Sequence, residues 1–267
     1  MLDQLLTTII LAFIQGIAEW LPISSTGHLR VAEHFLGVQA TPLFNVFLHI
    51  GTLGVVIFYF RRDIKAVLSA LVHRDFQSEY GRFISLIVIA TIPGGVIGVL
   101  YSVFLADNYQ TLLIIGVTFL VGAILLFSSK YGKETQAQIS YKTALLMGTA
   151  QGAASFPGLS RSGSTISVGL LMGSRREMVF KLSFLASIPA IIGNLGVEIY
   201  LQRGSLFLQS TSISPFNLAI GLAITAVTGY FAIVLVRRLV LNKKFHYFAA
   251  YSFSLGTALI VLALLGF

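Results

Sequence analysis

Two short polar segments, in a chain that is otherwise almost entirely apolar, carry the side chains that could do chemistry. The first reads QGIAEWLPISSTGH (residues 15–28) and the second reads QGAASFPGLSRSGST (residues 151–165). They supply the carboxylate of Glu19, the hydroxyl of Ser25 and the guanidinium of Arg161. A hydroxyl nucleophile, a group that moves its proton and a cation that neutralises phosphate oxygens are the components of phosphoryl transfer. These residue types therefore predict chemistry on a phosphoryl group.

In the first segment, Gln15 and Glu19 are four residues apart, which places both on one face of a helix. Glu19 could orient a histidine, bind a cation or accept a proton, and Gln15 would support it. The alternative is a polar pair that only ties two helices together. His28 follows Ser25 by three residues, a spacing that suits a base beside a hydroxyl nucleophile. We expect these side chains to share a chamber with the neighbouring hydroxyls of Ser24 and Thr26.

In the second segment, Arg161 is the candidate anion receptor, because a guanidinium binds phosphate through two parallel hydrogen bonds. Small and hydroxyl residues surround it, and the helix that begins near them would aim free N–H groups at an anion. The alternative is that the hydroxyls cap a helix while the arginine snorkels to water. The candidate ligand-contacting residues here are Gly158, Ser160, Ser162, Ser164 and Thr165.

The two segments are copies of each other at a separation of 136 residues. Gln15-Gly16 matches Gln151-Gly152, and Ser24-Ser25-Thr26-Gly27 matches Ser160-Arg161-Ser162-Gly163. Duplicated, broken polar segments are typical of membrane proteins built from internal repeats, whose ligand site lies where the copies meet.

Composition places the chain in a membrane. It has 267 residues, of which 56% are hydrophobic and 10% charged, against roughly 25% charged in soluble domains. The net charge of +8 falls in short clusters between apolar runs, which is a topology signal and argues against nucleic acid as a partner. The absence of cysteine excludes disulfides and thiolate chemistry.

Hydropathy predicts an all-α integral membrane protein with six transmembrane helices and two re-entrant helical hairpins. The return segment of the first hairpin, residues 29–36, is too short to cross a hydrocarbon core of roughly 30 Å. The predicted hairpins are 4–36 and 143–173, and the predicted spans are 44–60, 83–101, 111–129, 183–200, 216–236 and 248–266.

Basic residues predict the orientation. Four loops hold 15 of the 18 lysines and arginines, so we expect these loops to be cytoplasmic and the loops near Asp107 and Arg203 to be outside. The second hairpin has a basic loop on each side, so it must enter and leave on one face. The first must then enter from the opposite face, with both termini outside. The result is one membrane domain, 1–267, with an inverted-topology repeat of 1–129 and 143–267.

The two motifs resemble those of the undecaprenyl-diphosphate phosphatase family, also called BacA or UppP. That family has an E/Q-x-x-x-E segment before a Pro-x-Ser-Ser-Thr-Gly-His tip, and a later Pro-Gly-x-Ser-Arg-Ser-x-x-Thr segment. Both motifs are present here at the expected distance, so the resemblance covers essentially the whole chain.

The resemblance implies a plasma-membrane enzyme that hydrolyses undecaprenyl diphosphate to the monophosphate and phosphate. Such an enzyme recycles the carrier lipid for cell-wall synthesis and confers bacitracin resistance. It implies Ser25 as nucleophile, Glu19 and His28 as the proton-handling pair and Arg161 as the diphosphate clamp. A divalent cation, Mg²⁺ or Ca²⁺, would bind at Glu19 and Gln15, where glutamine is a weaker ligand than a second carboxylate. Ser160 and water remain alternative nucleophiles, and a homo-oligomer is possible.

Two other functions fit part of this pattern. A transporter or flippase of polyprenyl phosphates would share the repeat and an arginine-lined site but would not need Ser25 and His28 as a reactive pair. A lipid phosphatase of the acid-phosphatase type is suggested by SSTGH. That type uses a second histidine with a nearby aspartate after its arginine motif, and nothing after Arg161 supplies them.

Overall fold

The computed structural model of the chain describes residues 4–106, 111–209 and 214–266, and within these ranges its regular structure is helical. These described ranges contain eleven α-helices. They are α1 (Gln4–Trp20), α2 (Ser25–Leu36), α3 (Pro42–Tyr59), α4 (Arg61–Val72), α5 (Glu79–Phe104), α6 (Leu112–Ser128), α7 (Tyr141–Ala153), α8 (Arg161–Leu171), α9 (Arg176–Gln209), α10 (Pro215–Leu241) and α11 (Phe248–Leu264).

Six of these segments are long and apolar enough to cross a membrane, which confirms the predicted number of spans. They run Pro42–Tyr59, Glu79–Phe104, Leu112–Tyr131, Arg176–Arg203, Pro215–Leu241 and Phe245–Leu264. The protein is therefore an all-helical, multi-pass membrane protein. The four remaining helices of the predicted hairpins, α1, α2, α7 and α8, have 17, 12, 13 and 11 residues.

Two segments that were predicted to be loops are helical in the structure. The first basic loop begins with a helix, α4, and Arg61 Nη1 donates to Phe58 O at 2.9 Å where α3 ends. The span predicted to end at residue 200 continues to Gln209, so Arg203 lies in a helix and not in a loop. Hydropathy marks only the apolar part of a helix, and helical backbone continues past it where no proline intervenes. The predicted outer loop at Asp107 lies outside the described residues.

The spacing of 136 residues extends beyond the two polar motifs to the helices. It separates the first residues of α2 and α8, of α5 and α10, and of α6 and α11. Over the same interval α3 and α4 together correspond to the single long helix α9. Packing follows this correspondence, because α1 packs on α10 as α7 packs on α5, and α3 packs on α10 as α5 packs on α9. The helices of the two halves therefore interlock.

Aromatic side chains form the packed centre beside the first polar turn. The Trp20 ring stacks on Phe184 with centroids 5.3 Å apart, and Phe180 and Phe60 extend this group. Trp20 is the last residue of α1, so its burial fixes where the turn to α2 begins. Many large apolar side chains of α5, α6, α10 and α11 are exposed, as expected for helices that face lipid.

Polar contacts gather the basic segments at one end of the molecule. Lys181 pairs with Asp63 at 3.1 Å, Arg82 Nη2 donates to Ile139 O at 3.0 Å, and Arg176 pairs with Glu134 at 3.2 Å. The segment before α7 also bonds to the segment after α8, since Thr135 N and Gln136 N both donate to Gly173 O at 2.9 Å. The chain between them leaves this end of the molecule and returns to it.

Candidate active site

The turns of the two polar motifs are in direct contact. Ser24 Oγ caps α2 by accepting from Gly27 N at 3.2 Å, and it also accepts from Gly158 N of the other turn at 3.0 Å. Ser160 caps α8 in the same way, and its Oγ donates to Leu21 O at 3.4 Å. The capping serines that the motifs share therefore hold the two turns together.

Glycines allow the two turns to approach closely at two places. A Cβ added to Gly27 would lie 2.9 Å from Gly158 N, and one added to Gly163 would lie 3.2 Å from Pro22 Cβ. Gly27 and Gly163 are matched positions, and so are Pro22 and Gly158, so one contact occurs in two copies. Gly158 has a φ of +103°, and Ser24 has a φ of 66°, a strained value for a residue with a side chain.

The carboxylate of Glu19 contacts three other polar side chains of the site. Its Oε2 accepts hydrogen bonds from Ser25 Oγ at 2.7 Å and from Gln15 Nε2 at 3.1 Å. Its Oε1 forms an ion pair with Arg161 Nη2. The Arg161 guanidinium also lies 5.6 Å from the centre of the Trp20 ring. The acid, the hydroxyl and the cation named from the sequence therefore form one connected group.

This group lines a cavity of about 950 Å³. The cavity runs from the two turns along α5 and α9, and both polar and apolar groups line it. Serine and charged residues of the two turns line one part of it. The part between α5 and α9 is lined by apolar side chains such as Val99, Val103, Val197 and Leu201 together with the polar side chains of Ser102, Asn194, Glu198 and Gln202. A polar head and an apolar chain attached to it would find matching surroundings here.

Six of the predicted residues lie in this wall, whereas Gln15, His28 and Ser164 lie outside it, as do three other residues of the second motif. Glu19, Ser24, Ser25, Thr26, Ser160 and Arg161 line the cavity, and Gln15 lies fully buried behind Glu19. The three other residues are Gly158, Ser162 and Thr165. Ser162 Oγ donates to Trp20 O at 3.0 Å, and Thr165 Oγ1 lies 2.6 Å from Ser183 Oγ. These three positions hold the turns together, and substrate contact at them stays a prediction.

His28 is not beside Ser25, which corrects its expected position. Its Nδ1 lies 2.8 Å from Ser24 O and its Nε2 lies 2.6 Å from the hydroxyl of Tyr251, whose ring is parallel to it. The edge of Phe119 closes the remaining side. Both ring nitrogens are thus engaged away from Glu19. The three-residue spacing places His28 near Ser25 along the helix but does not fix the direction of its side chain.

Several residues of the site escaped the sequence analysis. His49 Nδ1 lies 3.3 Å from Gln15 Nε2, and His49 also lines the cavity. Glu198, Thr91 and Gln151 also line the cavity. The available signal was the presence of polar side chains inside apolar helices, and for Gln151 its match to Gln15. Hydropathy cannot say which face of a span such a residue occupies.

The side chains of the site could bind a divalent cation only if a bound phosphate ligand supplied further oxygen atoms. No group of three acidic, histidine or cysteine side chains that could hold a metal occurs in the described part of the chain. Glu19 offers one carboxylate, and the buried Gln15 Oε1 has no partner among the described residues. Mg²⁺ commonly binds through one or two carboxylates together with substrate phosphates and water. Glu19 and Gln15 therefore fit a cation that completes its shell with phosphate.

Fold and site together define an integral membrane protein with a charged, hydroxyl-rich cavity between two broken helical segments. Residues 8–258 match the family described as Bacitracin resistance protein BacA. The chain belongs to the BacA family, which confirms the resemblance seen in its motifs.

Curated relatives extend over nearly the whole chain, and those cited here carry the name undecaprenyl-diphosphatase. The protein of Methanosphaera stadtmanae is 35% identical over 98% of this chain and 99% of its own length. That of Halothermothrix orenii is 35% identical over 97% and 98%, and that of Corynebacterium efficiens is 36% identical over 97% and 91%.

Proposed function

We propose that the protein hydrolyses undecaprenyl diphosphate to undecaprenyl monophosphate and inorganic phosphate. This activity recycles the carrier lipid for cell-wall synthesis in the plasma membrane and confers resistance to bacitracin. The observation that carries the proposal is the carboxylate of Glu19, which contacts both the hydroxyl of Ser25 and the guanidinium of Arg161. The names of the relatives support the substrate, and the half-polar, half-apolar cavity suits a lipid diphosphate.

Binding of the diphosphate begins with an exchange of partners at Arg161. Without substrate, Glu19 neutralises the guanidinium, and this pairing limits the cost of burying both charges. The diphosphate offers Arg161 several anionic oxygens in bidentate geometry. Once Arg161 turns to the phosphate, Glu19 keeps its hydrogen bond from Ser25 and becomes a stronger proton acceptor.

Hydrolysis then proceeds in two steps. Ser25 Oγ attacks the terminal phosphorus, its proton passes to Glu19, and the bridging P–O bond breaks to release the lipid monophosphate. A water molecule next attacks the phosphorus of the phosphoserine, and the Ser25 oxygen leaves and regains a proton. Arg161 neutralises the negative charge on the phosphoryl oxygens in both steps. A divalent cation held by Glu19 and Gln15 would add further neutralisation of the diphosphate when bound.

His28 contributes by position on this account. It joins Ser24 O to the hydroxyl of Tyr251 on α11, and so it braces the strained turn that carries Ser25. A direct role in proton transfer stays a prediction, and it would require the ring to leave both of these partners.

A single comparison tests the proposed function against transport. The purified protein in detergent should release inorganic phosphate from undecaprenyl diphosphate, because hydrolysis needs no closed membrane. A transporter would release none and would only move the lipid between leaflets of a vesicle. Absence of phosphate release by a folded sample, with divalent cation present, would refute the proposal. The cited relatives carry the name of a diphosphatase and give the transporter no support.

We also propose that the two hairpins, α1–α2 and α7–α8, are re-entrant and enter the membrane from opposite faces. The constant separation of 136 residues and the duplicated helix packing support an inverted repeat. The contacts between residues 135–136 and Gly173 support a hairpin that returns to the face from which it entered. The basic segments gathered at that end would be cytoplasmic.

The absence of cysteine makes this topology easy to test. Single cysteines at Gln77 and Lys133 should react with a membrane-impermeant maleimide only after the cytoplasmic face is opened. A cysteine at Gln39, which follows α2, should react from outside in intact cells. A cysteine at Arg175, an exposed residue after α8, should react from the same side as Lys133→Cys, and labelling of the two from opposite sides would contradict the re-entrant second hairpin.

A further inference from the structure

Gln151 is a buried amide without a hydrogen-bond partner. Its exposed fraction is 6%, and within residues 4–106, 111–209 and 214–266 neither its Nε2 nor its Oε1 meets a donor or acceptor. Buried polar groups in folded proteins almost always have partners, because leaving one without any costs its full desolvation. Gln151 lines the same cavity as Glu19 and Arg161. Both polar atoms of the amide are covered in the substrate-free structure, so a molecule in that cavity can supply the missing partner once the side chain turns toward it.

The duplication explains why this amide is free. Gln15, the matched residue in the first half, donates a hydrogen bond from its Nε2 to Glu19 Oε2 at 3.1 Å. The position that matches Glu19 in the second half is Ser155, so Gln151 has no carboxylate beside it. Ser155 also lines the cavity. The first half therefore has the carboxylate of Glu19 beside its glutamine, whereas the glutamine of the second half, Gln151, has an amide without a hydrogen-bond partner in the described residues.

A second unpaired group and a bare stretch of backbone lie on α5, the helix whose Gly94 approaches Gln151. Thr91 Oγ1 on α5 is buried without a partner in the described part of the chain, and Thr91 lines the cavity too. On the same helix, a Cβ added to Gly94 would come within 2.9 Å of Gln151 Nε2 and 3.1 Å of Gly148 O. The amide is thus held tightly against α5 at the cavity wall.

The cavity also sets the direction in which a lipid diphosphate enters. Along α5 its wall runs from Thr91, in the middle of the helix, to Ala106 beyond its end. The stretch nearer that end includes the apolar side chains of Val99 and Val103 beside the polar side chain of Ser102. A lipid chain that occupies this stretch leaves its terminal phosphoryl group at the inner end, where Thr91 and Gln151 lie.

We propose that Gln151 and Thr91 form an uncharged subsite for the terminal phosphoryl group, an inference that rests on the proposed function. Gln151 Nε2 and the Thr91 hydroxyl donate to phosphoryl oxygens, and Gln151 Oε1 accepts from a protonated one. The subsite orients the phosphorus toward Ser25 and holds inorganic phosphate after cleavage. Gln151 is a positioning and specificity residue, and Arg161 supplies the positive charge.

Steady-state kinetics of the purified protein with undecaprenyl diphosphate test this subsite, with inorganic phosphate added as inhibitor. Gln151→Leu should raise KM and the inhibition constant of phosphate, each about ten-fold or more, because hydrogen bonds to a charged ligand are lost. Its thermal stability should be equal to or above that of the wild type, since an unpaired buried amide has been removed. A purely structural glutamine would lose stability instead.

Gln151→Glu supplies a signature that a structural role would not produce. A protonated carboxyl can replace the amide, whereas an ionised one repels phosphate. The variant should therefore approach the wild-type KM near pH 5 and lose affinity toward pH 8, beyond any change seen in the wild type. Gln77→Glu, on an exposed glutamine between α4 and α5, is the matched control and should follow the wild-type profile.

The outcomes separate this inference from the proposed function. A folded wild type that releases no phosphate overturns the function and the subsite with it. An active wild type whose Gln151→Leu variant keeps its KM and its phosphate inhibition overturns the subsite alone. If Gln151→Leu fails to fold, Gln151→Glu decides, and a KM ratio to wild type that is independent of pH overturns the subsite.

Discussion

The ion pair between Glu19 and Arg161 should dominate the stability of the site, and a double-mutant cycle measures it. The side chains of Glu19 and Arg161 are only 7% and 18% exposed, so removing either one leaves the charge of the other buried without a counterion. Loss of one partner of a buried pair typically costs about 3–5 kcal/mol, whereas removing both together is often nearly neutral. We therefore expect Arg161→Met to lower the free energy of unfolding by about 3–5 kcal/mol.

Glu19→Gln should cost less, because Arg161 is the more exposed partner and borders the cavity. The double variant should be more stable than Arg161→Met alone, with a coupling energy of about 2–4 kcal/mol. The assay is reversible unfolding in detergent for the wild type, both single variants and the double variant. The loss in Arg161→Met should shrink at low pH, where the stranded carboxyl takes up a proton.

Additive losses would refute this reasoning. If the double variant loses the sum of the two single losses, the side chains do not interact and the substrate-free site is not closed by their pairing. Phosphate release should be abolished in all three variants, because the reaction needs both groups. The unfolding measurements therefore test the ion pair, and the phosphate-release measurements test the roles of Glu19 and Arg161 in the reaction.

Three further predictions concern the turns. Gly158→Ala should cost more than about 2 kcal/mol and most of the activity, because its φ is +103° and the new Cβ would lie 2.1 Å from Thr118 Oγ1. Gly54→Ala is the control and should be neutral or stabilising, since nothing lies within 4 Å of its Cβ position. His28→Gln and Tyr251→Phe should each lower kcat and leave the shape of the pH–rate profile unchanged. A lost acidic limb in His28→Gln alone would show that the imidazole accepts a proton in the reaction. Combining the two substitutions should add little to either one, which kcat of the double variant checks.

Much of this architecture was predictable because the membrane imposes strong rules on sequence. The six spans followed from the length of apolar runs, and the contact between the two turns followed from their duplication. The break between α3 and α4 falls where the predicted span ends, but the helix that follows it, α4, was expected to be a loop. Apolarity marks the segment that crosses the lipid and does not report the conformation of the polar segment after it.

The sequence predicted which residues belong to the site better than it predicted how their side chains are arranged. Glu19, Ser25 and Arg161 were named correctly as neighbours, yet their direct contacts depend on side-chain directions that spacing does not fix. His28 shows this limit, since its ring turns to α11 and not to the cavity. Gln151 was visible only as a repeat of Gln15, and its unpaired amide is a property of packing alone.

The most direct test of the account compares Ser25, the first residue of α2, with Ser160, the N-cap of α8, because both serines line the cavity. Ser25→Ala and Ser160→Ala should be assayed for phosphate release from undecaprenyl diphosphate, with thermal unfolding measured on the same samples. Ser25→Ala should lower turnover by roughly 10³-fold or more with little change in stability, because it removes the nucleophile. Ser160→Ala should lower stability by about 1 kcal/mol and retain turnover, because it removes a helix cap. Normal turnover in a folded Ser25→Ala protein would contradict the central claim.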